Sequence, residues 1–184
     1  MRDKHLHKST PFSAKLEEMR KSGFATNWLA RLVAMPTQSQ LPGQEEELRA
    51  YLSEGIAPLL QEIGFDQKIF NNPVKNAPPL LVAHRHESDA LPTILIYGHG
   101  DVILGQYDGW YEGLKPFKTV MREGLIYGRG TADNKGQHLI NLLALKTVLE
   151  VQGQLGFNVK FLLEMGEETG SPGLYKFCKN NKHI

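Results

Sequence analysis

The sequence has very little cysteine and no long hydrophobic run. Cys178 is the single cysteine among 184 residues, which excludes an intrachain disulfide framework. A chain without disulfides suits a reducing compartment, so we expect a cytoplasmic protein. No uninterrupted apolar stretch approaches the roughly 18 residues that a membrane span needs. The charged N-terminus also lacks the hydrophobic segment of a signal peptide, so we expect neither membrane insertion nor secretion.

The sequence also lacks an excess of charge of one sign. The formal net charge is +1 and no basic stripe stands out, so charge gives no ground for a nucleic-acid partner. What is present is typical of a globular protein: 41% of the residues are hydrophobic and 22% are charged. A chain of this length and composition can bury a substantial core.

Hydrophobic periodicity predicts helices in the first third of the chain. Residues 1–12 are polar and are expected to form a flexible lead-in. Apolar residues recur at spacings of three and four over 13–35 and again over 44–63, which predicts two helical segments. Pro58 lies inside the second segment and is expected to kink it, because proline cannot donate a backbone hydrogen bond.

The pattern then changes to short runs rich in branched and aromatic residues, which predict strands. These runs are "FDQKIF", "PPLLVAHRH", "PTILIYGH", "GLIYGRG" and "NVKFLLEMG". "TILIYG" is apolar throughout, so we expect it to be a central strand buried on both faces. A helix is predicted over 134–151, and a last helix is predicted to begin with Ser171 as its N-cap. The order predicts an α/β fold with a central, largely parallel or mixed sheet flanked by helices.

Three polar clusters follow predicted strands. "GHGD" carries His99 and Asp101, "GRGTADNKG" carries Asp133, and "GEETGS" carries Glu167 and Glu168. Ligands bind at the carboxyl ends of strands in open α/β sheets, so these side chains are expected to meet through the fold.

The residue types in these clusters point to a metal centre. His99, Asp133 and Glu168 are ligand types that suit zinc, or less selectively cobalt or manganese. Asp101 is a candidate to accept the second ring N–H of the histidine. A divalent cation would neutralise the repulsion between the adjacent glutamates and would leave Glu167 free to act as a base.

Each cluster alone has a simpler explanation. A single histidine after a strand is more often an ordinary polar residue, and adjacent acids before a helix often complement the helix dipole. "GRGTADNKG" is similar to a dinucleotide-binding loop, but Asp133 replaces its third glycine. A nucleotide-binding domain therefore stays a weak alternative, and the conjunction of three clusters at three strand ends favours the metal centre.

The combined motifs resemble a known family. "YGHGDV", "YGRGTADNKG" and "GEETGSPGL", with "GW" and "KPF" between the first two, closely resemble the M20 family of zinc-dependent aminoacylases, dipeptidases and carboxypeptidases. The likeness runs from about residue 27 to residue 174. It implies a zinc-exopeptidase-like fold and hydrolysis of amide bonds by water. The implied substrates are N-acyl amino acids or short peptides with a free carboxylate.

The resemblance also implies a role for each candidate residue. His99 would bind one zinc ion, Asp133 would bridge two, and Glu168 would bind the other. Asp101 would orient His99, and Glu167 would be the catalytic base. Family members often have a cis peptide bond after the bridging aspartate, which here is the bond from Asp133 to the next residue.

Family members continue with further metal ligands and with a lid and dimerisation domain. By this resemblance, residues 13–184 correspond to the N-terminal part of a catalytic domain, truncated before the lid. We expect the full-length parent to be a homodimer and this chain alone to be inactive or nearly so. The alternative is a non-catalytic metal-binding or interaction module that retains half of the site and offers an unpaired sheet edge to a partner.

Overall fold

The structure is a computed structural model that describes residues 10–183, so residues 1–9 of the predicted lead-in lie outside the description. The helices are α1 (Pro11–Ser22), α2 (Phe24–Ala34), α3 (Glu45–Ala50), α4 (Ala57–Glu62), α5 (Lys135–Gln152) and α6 (Leu174–Asn180). The strands are β1 (Asp66–Phe70), β2 (Leu80–Arg85), β3 (Thr93–His99), β4 (Val120–Arg122), β5 (Leu125–Tyr127) and β6 (Asn158–Glu164). Within the described residues, no helix is both long and apolar enough to cross a membrane.

The main sheet is mixed and has the strand order β1-β2-β6-β3. β2 pairs antiparallel with both β1 and β6, whereas β3 pairs parallel with β6. β4 and β5 form a separate antiparallel hairpin. The parallel pair places His99 opposite Glu164, the last residue of β6. The loops that follow β3 and β6 therefore begin at the same edge of the sheet, which is what the parallel arrangement predicts.

The first two predicted helical segments are both present, and each is interrupted. α1 begins at Pro11, two residues before the predicted start, and Thr10 Oγ1 accepts a hydrogen bond from a first-turn N–H. Gly23 then separates α1 from α2 with a left-handed φ of 70°. In the second segment, the π-helical stretch Tyr51–Ile56 joins α3 to α4 just before Pro58. The irregularity predicted at the proline is therefore a widened turn.

The core lies between the helices and one face of the sheet. Its largest fully buried apolar and aromatic side chains include Leu32, Tyr51, Leu52, Leu142 and Phe161. Burial of each aliphatic side chain of this size stabilises the folded state by about 1.5–3 kcal/mol relative to exposure to water. This layer therefore holds the sheet and the helices together. α5 contacts both β3 and the N-terminal helices. Asn134, just before its first turn, accepts a hydrogen bond from the backbone N–H of His99 at the end of β3.

Two sequence expectations are wrong. Among the described residues β3 pairs with β6 alone, so it is an edge strand, and Leu95 is 65% exposed instead of buried. The apolar run predicted burial, but strand order depends on pairing that hydrophobicity does not encode. Ser171 is not the N-cap of α6 either, because Gly173 precedes that helix with a left-handed φ of 81°. The hydroxyl of Ser171 instead donates to Glu164 Oε1 at 2.8 Å.

Candidate metal centre

Three loops bring the predicted site residues to one end of the parallel strand pair. His99 is the last residue of β3, and Asp101 follows in the next turn. Asp133 lies in the turn that leads into α5, and its peptide bond to Asn134 is cis, as the family resemblance implies. Glu167 and Glu168 form a single 3₁₀ turn after β6.

The side chains converge on the imidazole of His99. Its Nε2 lies 3.1 Å from Asp133 Oδ1 and 3.9 Å from Glu167 Oε2. One ligand atom from each of His99, Glu167 and Glu168 lies within 4.8 Å of the others. One imidazole and several carboxylates form a donor set that suits zinc and related divalent cations. The residues present therefore fit a metal ion, and they belong to the three predicted clusters.

Asp101 links the histidine to the glutamate turn. Its carboxylate is fully buried, and Oδ1 lies 3.3 Å from His99 Nδ1. Oδ1 also accepts the backbone N–H of Glu167 at 3.2 Å, and Oδ2 accepts that of Glu168 at 3.1 Å. The hydroxyl of Ser39 donates to Oδ2 at 2.6 Å. The carboxylate of Asp101 therefore fixes the backbone of both glutamates, and it orients the imidazole together with the backbone carbonyl of the same residue, which lies 3.1 Å from His99 Nδ1.

The carboxylates give the site a negative potential. Burial lowers the pKa of His99, but the hydrogen bond to Asp101 and the charges of Glu167 and Asp133 outweigh it and raise the pKa to about 9. Burial also raises the pKa of Glu168, and the charge of Asp133 raises it further. A site that stabilises a positive charge on its histidine and disfavours further negative charge on its carboxylates is suited to hold a cation.

Comparison with known proteins agrees with this geometry. The model of peptidase family M20/M25/M40 matches residues 95–184, the part of the chain that carries all three clusters. This part of the chain belongs to that family. The Beta-Ala-His dipeptidase of Rattus norvegicus is 39% identical over 106 residues, which cover 57% of this chain and 21% of the relative. The succinyl-diaminopimelate desuccinylase of Wolbachia pipientis wMel is 31% identical over 138 residues, covering 70% of this chain and 32% of the relative.

Solved structures show the same family fold. Human carnosine dipeptidase 1 superimposes with a TM-score of 0.83 at 26% identity, over 94% of this chain and 37% of that one. An M20 family metallo-carboxypeptidase from Sulfolobus solfataricus has a TM-score of 0.73 at 27% identity, over 86% of this chain and 34% of that one. The chain thus spans between a fifth and two fifths of the length of these four relatives, and it is a partial M20 domain.

A buried glutamate beneath the M20 site was not predicted. Glu164 accepts hydrogen bonds from Tyr97 at 2.6 Å and from Ser171 at 2.8 Å. Burial raises the pKa of Glu164, although these two hydrogen bonds oppose the change. The bond from Ser171 closes the turn that carries the glutamate pair. The sequence signal for Glu164 was its position as the one acid in the apolar run of β6.

A buried lysine was also missed. Lys135 is fully buried at the start of α5, and its ammonium donates to the carbonyls of Leu32 at 2.9 Å and Met35 at 2.6 Å. Burial lowers the pKa of Lys135 to about 7, against the opposing charge of Asp101. The two carbonyls at the end of α2 favour the charged form, so the lysine ties α5 to that helix C-terminus.

Proposed function

We propose that this chain is part of a metal-dependent hydrolase of amide bonds. Its substrates would be short peptides or N-acyl amino acids with a free carboxylate. The observation that carries the proposal is the convergence of His99, Glu167 and Glu168, with Asp133 against the ring nitrogen of His99. The similar proteins include dipeptidases and a desuccinylase, whose reactions all break an amide bond. Residues 13–184 would be the N-terminal part of the catalytic domain.

In this proposal His99, Asp133 and Glu168 hold the metal. Zinc suits this donor set best, and cobalt or manganese also fit it. In the complete enzyme Asp133 would bridge two ions. A bound divalent cation supplies Lewis acidity, which polarises the amide carbonyl and lowers the pKa of a water molecule.

Glu167 is the proposed general base. Its carboxylate accepts a proton from the attacking water and delivers it to the leaving amine. The side chain of Glu167 is 45% exposed, whereas that of His99 is 5% exposed, so Glu167 can reach both a substrate and the buried ligand. Asp101 holds the backbone N–H of Glu167 and faces Nδ1 of His99. Through these contacts Asp101 orients the base and the ligand relative to each other.

Metal content tests the proposal directly. We expect the purified chain to bind zinc near one ion per chain, as measured by elemental analysis after dialysis. Asp133→Ala and Glu168→Ala should each lose the metal, because each removes a carboxylate from the site. Asp108→Ala is the matched control, since Asp108 is an exposed acid that lies outside all three clusters. Zinc binding that persists in both site variants, or no binding at all, would contradict the proposed centre.

The second candidate is a non-catalytic metal-binding or interaction module, favoured by the exposed apolar edge of β3. We expect this chain alone to hydrolyse substrates slowly at best, so a binding assay separates the two candidates. A phosphinic dipeptide analogue, which imitates the tetrahedral state of amide hydrolysis, should bind the zinc-loaded chain and not the chelated one. Glu167→Gln should weaken this binding while zinc content stays unchanged. Zinc binding without any affinity for the analogue would favour the module.

Two broader proposals concern the parent protein. We place it in the cytoplasm, because the one cysteine of this chain, Cys178, is an exposed free thiol that a reducing compartment keeps reduced. From the family resemblance we also propose that the parent is a homodimer. Cell fractionation and light scattering of the full-length protein test these two points.

A further inference from the structure

We propose that Tyr51, His138 and Asn134 form a hydrogen-bonded positioning chain that fixes the backbone of His99 for metal binding. Tyr51 Oη lies 2.7 Å from His138 Nε2, and His138 Nδ1 lies 3.2 Å from Asn134 Oδ1. Asn134 Oδ1 accepts the backbone N–H of His99 at 3.1 Å. This inference rests on the proposed metal centre, and it assigns a role to residues outside the ligand set.

The direction of every bond in the chain follows from its last link. A backbone N–H can only donate, so the Asn134 atom that faces His99 must be the amide oxygen. His138 Nδ1 faces the same oxygen and therefore carries the proton. Nε2 is then an acceptor, and the hydroxyl of Tyr51 must donate to it. The geometry thus selects a single tautomer of His138, with the proton on Nδ1.

Burial keeps His138 neutral. Its side chain has no exposed surface, and Tyr51 is buried to the same degree. Burial, with the positive charges of Lys135 and His99, lowers the pKa of His138 to about 3. The ammonium of Lys135 lies 4.9 Å from the centre of the Tyr51 ring. A neutral imidazole between a phenol and an amide can serve as a fixed relay of hydrogen bonds.

The positioning chain also contacts the residues on both sides of His99. A Cβ on Gly98 would lie 3.0 Å from Asn134 Oδ1 and 3.0 Å from His138 Cβ. A Cβ on Gly100 would overlap the ring of Tyr51. The two glycines of "GHG" therefore allow the end of β3 to pack directly against the positioning chain. His99 has little freedom to shift along the sheet, which is what a metal ligand requires.

A local role in the core would satisfy the same hydrogen bonds, so the two explanations need a measurement that separates them. Removing the Tyr51 hydroxyl leaves His138 Nε2 buried without a donor. A shift of the proton to Nε2 would then turn Nδ1 into an acceptor that faces the Asn134 oxygen. Relief of that repulsion requires the amide to rotate, and its NH₂ would then face the N–H of His99. The positioning hypothesis therefore predicts that loss of the Tyr51 hydroxyl changes the hydrogen bonding of the His99 backbone.

The experiment compares Tyr51→Phe with the unsubstituted protein, called the full chain below, and with Tyr175→Phe. Tyr175 is 80% exposed on α6 and serves as the matched control. Nitrogen-15 NMR of the metal-free chain reads the tautomer of His138 and the amide shift of His99. Calorimetry reads the affinity for zinc. We expect an Nδ1–H tautomer in the full chain, a displaced His99 amide in Tyr51→Phe, and zinc affinity lower by about 10- to 100-fold in that variant.

Each outcome bears on a separate statement. An Nε2–H tautomer of His138 in the full chain would overturn the positioning chain, and this measurement needs neither a variant nor metal. Equal zinc affinity in Tyr51→Phe and the full chain, with an unmoved His99 amide, would overturn it while the proposed metal centre stands. A full chain that binds no zinc would refute the proposed function, and the NMR comparison would still decide whether Tyr51 reaches His99.

Discussion

Asp101→Asn removes one charge and changes one oxygen to an amide nitrogen without changing the size of the side chain. The aspartate is fully buried, and both of its oxygens accept hydrogen bonds. Oδ1 accepts from the backbone of Glu167, and Oδ2 accepts from that of Glu168 and from Ser39. In either orientation of the asparagine, its NH₂ must face a backbone N–H, and two donors then meet in a buried position.

The cost follows from these contacts. A buried donor without an acceptor costs about 1–3 kcal/mol, and the remaining bonds lose the strength that the charge supplied. We therefore expect the free energy of unfolding of the metal-free chain to fall by about 2–4 kcal/mol. For a domain of this size, that loss corresponds to a fall in Tm of about 4–16 °C. The pKa of His99 should also fall below about 9, because Asp101 is the strongest of the groups that raise it.

Two assays and one control test this reasoning. Calorimetric melting of the metal-free chain gives the change in Tm, and an NMR titration of the imidazole gives the pKa of His99. Asp108→Asn makes the same chemical change at an exposed position and should alter neither value by more than the error of measurement. An unchanged Tm together with an unchanged His99 pKa in Asp101→Asn would refute the role assigned to this carboxylate.

Two further predictions follow from the same site. Zinc binding requires the neutral ring of His99, whose pKa is about 9. The affinity for zinc should therefore rise by up to about tenfold per pH unit below pH 9 and then level off. A calorimetric affinity that stays constant from about pH 6.5 to pH 9 would contradict this prediction. Gly100→Ala should lower the free energy of unfolding by about 1–3 kcal/mol in denaturant melts, because its Cβ would overlap the Tyr51 ring. Gly109→Ala is the control, since a Cβ added at that position would meet no neighbouring atom within 4 Å. Equal losses of unfolding free energy in the two variants would show that the overlap does not matter.

The sequence predicted the elements near the site well because local chemistry determines them. Glycine-rich turns after apolar runs marked the strand ends that carry His99 and Glu167, and parallel pairing of β3 with β6 then places those ends together. The helix predicted over 134–151 is observed as α5 over Lys135–Gln152. In each case the signal lies within a few residues of the feature.

The errors and omissions involve partners that lie far apart along the chain. β3 was expected in the centre of the sheet because hydrophobicity reports burial potential and carries no information about strand order. His138 lies in an apolar helix, and its partner Tyr51 lies 87 positions away, so neither residue carries a local mark of function. Glu164 likewise depends on Tyr97, which lies 67 positions away. Only the three-dimensional arrangement reveals these buried polar contacts.

The adjacent glutamates illustrate how the fold and the proposed metal depend on the same charges. The backbone of both residues is held by Asp101, so their position does not require a cation. Their side chains, with that of Asp133, nevertheless lie close to the imidazole of His99, and Glu167 and Asp133 add to the stronger effect of Asp101 in raising its pKa to about 9. A proton on His99 relieves part of that repulsion, and a dication bound to the neutral ring and the carboxylates would relieve more of it. Proton and metal therefore compete for one electrostatic environment, so a substitution that lowers the pKa of His99 by removing a carboxylate should also weaken zinc binding.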